Sequence, residues 1–206
     1  YRETRWSGGA FAGIRHEAPL GGGRGSVLLE AALRADVATT DSAQLNPRAG
    51  VVVRPGGGKT RLRASAGRAS KLPSFFALAS PRALGGNPDL RAESAWGGEA
   101  GIEHDLRAAR LSLGAAYFLQ RYQDLVDFDF EQFLHVNRSR VRTQGVELSA
   151  RWRPHPALGL DAEATYLDAQ DLDGGVLLHQ PRWTGVVRLT WQPGERLSLR
   201  LQARAV

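Results

Sequence analysis

The chain has 206 residues, with 27 Lys and Arg against 21 Asp and Glu, 24 Gly and no Cys. Absence of cysteine excludes disulfide frameworks, thiolate metal sites and cysteine nucleophiles, and a 42% hydrophobic content is too apolar for a disordered polymer. No run approaches the eighteen or so apolar residues of a membrane helix, and the opening YRETRWSGGA has neither Met nor an apolar signal core, so the chain is expected to be an internal piece of something longer.

The dominant periodicity is two. Gly8–Glu17 alternates weakly, Val27–Val37 clearly, Pro47–Arg54 weakly again, then Lys59–Arg68 and Ser94–His104 clearly. From Ala109 the residues Leu111, Leu113, Ala115, Tyr117 and Leu119 share one face, with Ser112, Gly114 and Gln120 on the other. TQGVELSARWR from Thr143 places Val146, Leu148, Ala150 and Trp152 against Glu147, Ser149, Arg151 and Arg153. Leu158–Asp168, Arg182–Trp191 and RLSLRLQARA from Arg196 complete a set of about ten strands of roughly 8–12 residues, longer than the usual five or six. No convincing amphipathic helix is present.

The links carry a second signal. PLGGGR (19–24), PGGG (55–58), HDLR (104–107), PHP (154–156) and QPGE (192–195) have the Gly and Pro content of tight turns. Between them lie longer links at 39–46, 69–93, 121–140 and 169–180, so short and long are expected to alternate. A barrel standing in a membrane has this form, with turns on one side and loops on the other. Trp183 and Trp191 share a face with Gly185, Val187 and Leu189 between them. Eight residues on a tilted strand span roughly 21 Å, close to the apolar band between two aromatic girdles. The expected fold is all-β, an antiparallel up-and-down transmembrane β-barrel. A soluble all-β binding module, with the same tryptophans in its core, is the alternative.

VVVRPGGGKT (51–60) imitates a phosphate-binding loop. That motif needs a Gly four residues before Gly-Lys-Thr and a helix after it. Val53 occupies the first position, and KTRLRASAGRA continues with period two, so a hairpin turn is expected. Gly21–Gly25 reads the same way.

The arginines alternate with apolar residues and share faces with Glu99, Glu103, Glu147, Asp161 and Glu163. That is the pattern of a mixed-charge lumen, and no nucleic-acid partner is expected, since phosphate tracking needs an exposed basic groove. His16, His104, His135, His155 and His179 are scattered, with no pair at ligand spacing, so no metal site and no cofactor are expected; His104 and His155 fall in turns, where solvated histidine is the default. No catalytic residues can be picked out. QDLVDFDFEQF (123–133) is either a ligand-contacting loop or strand extended beyond the membrane.

Several of these residues resemble the barrel domain of TonB-dependent outer-membrane receptors. The match runs through Gly67-Arg68, Pro73-Ser74-Phe75, Leu78, Gly86-Asn87-Pro88-Asp89-Leu90 and Glu93, then Tyr117-Phe118, Asp124-Leu125-Val126, Asn137, Gly145-Val146-Glu147 and Gln180-Pro181-Arg182-Trp183. Ala77 and Arg91-Ala92 depart from the family pattern. The resemblance implies an outer-membrane receptor for a scarce nutrient such as a ferric siderophore or vitamin B12. It implies a small-molecule metal chelate as ligand, and import driven by the energy-coupling protein TonB pulling on a plug within a 22-stranded barrel. Residues 1–206 are then part of the barrel domain, about ten strands, with the plug and terminal strands elsewhere. Ligand contacts are expected in the long links, at Phe75, Phe76, Tyr122, Phe128, Phe130 and Phe133. Another outer-membrane barrel, a porin or adhesin, is the remaining alternative.

Overall fold

In the computed structural model, which describes residues 4–39, 41–138, 140–174 and 180–206, the alternating segments form one long ladder. The strands are β1 (Ser7–Leu20), β2 (Gly25–Ala38), β3 (Asp41–Arg54), β4 (Thr60–Lys71), β5 (Glu93–Leu106) and β6 (Leu111–Gln123). They continue as β7 (Val126–Asp129), β8 (Leu134–Asn137), β9 (Val141–His155), β10 (Leu158–Asp171), β11 (Trp183–Gly194) and β12 (Leu197–Ala205). Ten of them build a single antiparallel sheet in the order β1-β2-β3-β4-β5-β6-β9-β10-β11-β12, with β1 and β12 at its edges. β7 and β8 pair separately as a small hairpin. His179, one of the five scattered histidines, lies outside the described residues.

Register keeps each face uniform. Leu113, Ala150, Ala162, Val187 and Ala203 stand opposite one another across five strands, as do Tyr117, Val146, Tyr166 and Trp183 across four. A one-residue slip would send every one of these side chains to the other face, so the apolar pattern itself fixes the pairing. The outward residues remain uncovered. Trp183, Val187 and Trp191 are 63%, 47% and 42% exposed, and Leu148, Trp152 and Leu201 are comparably bare. The ladder has no interior of its own to bury them in, and this face fits a hydrocarbon environment.

One end of the sheet is closed by tight turns. In the first, Gly21, Gly22 and Gly23 all take positive φ, and the Gly23 N–H donates to the Leu20 carbonyl at 3.2 Å. In VVVRPGGGKT, Gly57 (φ 92°) and Gly58 (φ 62°) make the reversal, and the Gly58 N–H donates to the Pro55 carbonyl at 3.3 Å. Strand β4 then runs on to Lys71, so the segment is a hairpin with no phosphate-cradling helix.

The structure corrects three details. The link expected at 39–46 is mostly strand: Asp41, Gln44, Leu45 and Asn46 pair with Ala38, Asp36, Ala35 and Arg34, leaving two residues between β2 and β3. Polar Ser42 and Asn46 hide a ladder that backbone pairing alone sustains, and strict alternation of short and long links fails there. The turn expected at 104–107 begins only at Arg107, because His104 pairs with Thr60 inside the ladder. The 69–93 link contains a short helix, α1 (Phe75–Ala79), too brief to show helical periodicity.

Proline 47 has a visible cost. It lacks an N–H to donate to the ladder, and β3 parts from β4 beyond the Arg48–Gly67 pair. The Arg68 guanidinium fills the gap, donating to the Leu45 carbonyl at 2.7 Å and to Gln44 Oε1 at 3.1 Å.

Candidate functional site

The long links form a crown over the end of the sheet opposite the turns. Its base is the helix α1. Ser74 caps it, accepting the Ala77 N–H through Oγ at 3.1 Å, as capping serines do. Ala77 and Leu78 bury themselves against Leu90, with Val126 of the β7–β8 hairpin packed alongside. Gly86 lies so close to the Ser80 backbone carbonyl that no Cβ would fit. Gly85 ends the following 3-10 turn at φ 84°, and a Cβ there would meet the Phe128 ring.

Hydrogen bonds bind this segment to the hairpin. The Gly85 carbonyl accepts the His135 backbone N–H at 2.9 Å and lies 2.6 Å from His135 Nδ1. Asn87 Nδ2 donates to the His135 carbonyl at 2.8 Å, and Asn87 Oδ1 accepts the Asp89 N–H at 3.0 Å. Asn137 Oδ1 accepts the Arg91 N–H, and its amide donates to the carbonyls of Arg91 and Asp124. The Arg91 guanidinium donates to Asp124 Oδ1 at 2.7 Å. Two carboxylates fasten the crown to the wall: Asp41 Oδ2 accepts the Ala92 N–H, and Glu93 Oε1 accepts the Val126 N–H. Asp41, Asn87, Glu93 and Asn137 therefore fasten backbone, while Asp124 pairs with the Arg91 side chain.

The aromatic residues divide into three groups. Phe128 is a hub, with ring centroids 5.1 Å from Phe130, 5.2 Å from Phe133 and 5.0 Å from His135, all edge-on. Phe76 reaches the same histidine at 5.9 Å. Phe75 stands apart beneath the Arg5 guanidinium, 4.9 Å from its ring centroid, while Arg5 donates to the Pro73 carbonyl at 2.9 Å. Tyr122 is on β6, on the polar face, hydrogen-bonded to Gln120 in a recess shared with Arg48, Glu99 and Phe118. So Phe76, Phe128, Phe130 and Phe133 are brought together, and Phe75 and Tyr122 are not. His135 is the member missed from the sequence. Its signal is the hairpin register, which sets it directly opposite Phe128.

At the hairpin tip, Asp129 accepts the N–H groups of Glu131 and Gln132 at 2.9 and 3.1 Å. The Gln132 N–H above all, then that of Glu131 and the charge of Arg138, hold its carboxyl below the usual range. Asp173 lies lower than usual mainly because Arg140 donates to it, joining the link before β9 to the link after β10.

Below the crown the polar face carries ion pairs: Arg61 with Glu103 and Arg151 with Asp161 (3.3 Å) directly opposite in register, and Arg153 with Asp161 at 2.9 Å and Arg188 with Glu163 at 3.0 Å on the diagonal. All are partly exposed and individually worth little to stability. They make a wetted, mixed-charge wall. Among the described residues, no three or more His, Asp or Glu residues are grouped so as to hold a metal ion.

An up-and-down antiparallel wall, bare and apolar outside, charged inside, with turns at one end and a crown at the other, is that of an outer-membrane type of β-barrel. The family model "TonB dependent receptor-like, beta-barrel" matches residues 2–205, and the chain belongs to that family. Solved structures share the fold. The siderophore receptor PirA from Pseudomonas aeruginosa superposes with a TM-score of 0.73 at 22% identity, over 95% of this chain and 37% of that one. A ferric enterobactin receptor (PfeA) from the same organism gives 0.70 at 21% identity, over 86% and 30%. Its ferripyoverdine receptor gives 0.71 at 14%, over 97% and 28%. The chain thus spans about a third of the length of these structures. A search of characterised proteins by sequence gives no match.

Proposed function

We propose that this chain is part of the barrel wall and ligand-facing crown of an outer-membrane receptor that takes up a scarce metal chelate, of the ferric-siderophore kind. The observation that carries it is the crown: two links fastened to each other and to the wall, presenting Phe130 at 85% exposure and Phe76 at 61% beside a mixed-charge lumen. Exposed aromatic rings on a fixed frame suit a planar, aromatic or acyl-rich chelate, and the arginines of the lumen suit its negative charge. The neighbours named for ferric enterobactin, ferripyoverdine and siderophores support the same class of ligand.

In this reading the wall sits in the outer membrane, and TonB supplies the energy through a plug carried elsewhere in the receptor. The chain's own role is capture and passage; no chemical step is assigned to it. Uptake of radiolabelled iron chelates, with cobalamin as a comparison arm, tests this in cells whose only receptor of the class is this one. Loss of ferric-chelate uptake on deleting the receptor is expected, and uptake of cobalamin alone would overturn the ligand class.

A further inference from the structure

The outward face changes character above the aromatic level. Tyr117, Val146, Tyr166 and Trp183 lie opposite one another in register. Two residues further toward the crown, the same face becomes polar on β9 and β10: Tyr117 Oη bonds Gln144, which donates to Asp168 at 3.1 Å, and Asp168 also accepts from Gln170 at 3.2 Å. One more step along β6 and β9, Arg121 and Arg142 stand directly opposite each other. Trp96, 52% exposed, flanks Arg121 from β5.

Like charges facing across neighbouring strands repel. Asp168, one row below on the same face, bonds the two glutamines and forms no ion pair with either arginine among the described residues. Arg142 donates through Nη2 to Gln170 at 2.7 Å, while its buried Nε finds no partner among the described residues. Arg121 has no ionic partner among them either. The pair lies four residues above Tyr117 along the strand, roughly 10 Å for a tilted strand, on the water side of the aromatic girdle. On the same face below it, from Ala115 downward, opens a shallow apolar depression of about 790 Å³ floored by small residues, including Ala150, Ala162, Ala164 and Gly185.

We propose that Arg121 and Arg142 bind the phosphate group of a phosphorylated lipid on the outside of the barrel, with acyl chains running down the apolar depression below. The inference rests on the outer-membrane reading of the wall. An anion bridging the two guanidinium groups removes their repulsion. An occupant with a tail has this apolar wall below it to lie against. Trp96 packs beside the headgroup at the boundary, where an amphipathic ring is favoured.

The test uses the whole receptor in phosphatidylcholine nanodiscs containing a minor fraction of phosphatidic acid, with retained lipids counted by native mass spectrometry. The native receptor is expected to retain phosphatidic acid selectively. Arg121→Gln with Arg142→Gln is expected to weaken retention roughly 30-fold, and Arg121→Lys with Arg142→Lys to keep much of it. Equal retention by native and glutamine variants overturns the site. Displacement by inorganic phosphate at the same concentration as the lipid overturns the lipid as occupant. A receptor that never inserts into nanodiscs fails the membrane reading instead, and heat-modified gel mobility shows whether each variant has folded.

Discussion

Asn137 and Arg91 exchange two hydrogen bonds: the Arg91 N–H donates to Asn137 Oδ1 at 2.7 Å, and Asn137 Nδ2 donates to the Arg91 carbonyl at 2.9 Å. One side-chain amide thereby imitates a strand pair between segments 46 residues apart. Asn137→Ala removes both bonds and a third to Asp124, leaving backbone groups partly buried and unpaired at a cost of about 1–3 kcal/mol. Hydrogen exchange at Arg91 is expected to accelerate about ten-fold or more, with the wall strands unchanged. An unaltered rate would show that the link is held by its other bonds alone.

Gly86 and Gly57 should respond differently to alanine, for different reasons. At Gly86 the obstacle is space, because a Cβ would meet the Ser80 carbonyl, and backbone must move to admit it. At Gly57 space is open and the obstacle is φ 92°, a conformation that costs a side chain about 1–2 kcal/mol. Gly86→Ala is expected to expose the 72–92 link to limited proteolysis, whereas Gly57→Ala leaves the pattern unchanged.

Phe128 and Phe130 separate framework from contact. Phe128 touches three rings, and each aromatic pair is worth about 0.5–1.5 kcal/mol beyond its buried area. Phe128→Ala should loosen the hairpin, seen as faster exchange at His135. Phe130 is largely exposed, so Phe130→Ala should leave exchange nearly unchanged while weakening chelate binding several-fold. Equal binding by Phe130→Ala would remove that ring from the site.

The hairpin tip carries a pH dependence of defined sign. Asp129 is held below its ordinary range in the fold, mainly by the Gln132 N–H, so its contribution is complete above an unfolded value of about 3.9. It is lost as pH falls below that value through the folded one. Exchange-sensitive NMR of the Glu131 and Gln132 amides should show a stable tip from neutrality to about pH 5 and loosening only under stronger acid. Asp129→Asn should flatten that profile, and a native midpoint above the ordinary carboxylate value would contradict the arrangement.

The wall was legible in the sequence because its cause is local. Val146, Leu148, Ala150 and Trp152 alternate with Glu147, Ser149 and Arg151, and period two has a single backbone solution. The crown was legible only as a set of candidate rings. Nothing in the spacing of Phe76 and His135 says that they meet, because α1 and β8 are joined by side-chain fasteners without a periodic signature. His135 looked isolated for the same reason. The 39–46 segment misled because its polar side chains resemble a loop, while the pairing that makes it strand lies in the backbone and in the partner, Arg34 to Ala38. Arg121 falls in the expected 121–140 link and Arg142 just ahead of the strand expected from Thr143, so neither has a face in the sequence; register puts both on the outward one.

The two-residue connection between β2 and β3 gives the crown a profile. Above β4 to β9 it stands as a parapet of helix, hairpin and fastened links, yet over β2 and β3 the parapet drops to the ends of the strands themselves. Among the described residues the wall therefore has unequal heights, and a low stretch lies beside Arg34 and Asp36, which form an ion pair at 2.6 Å on the inner face.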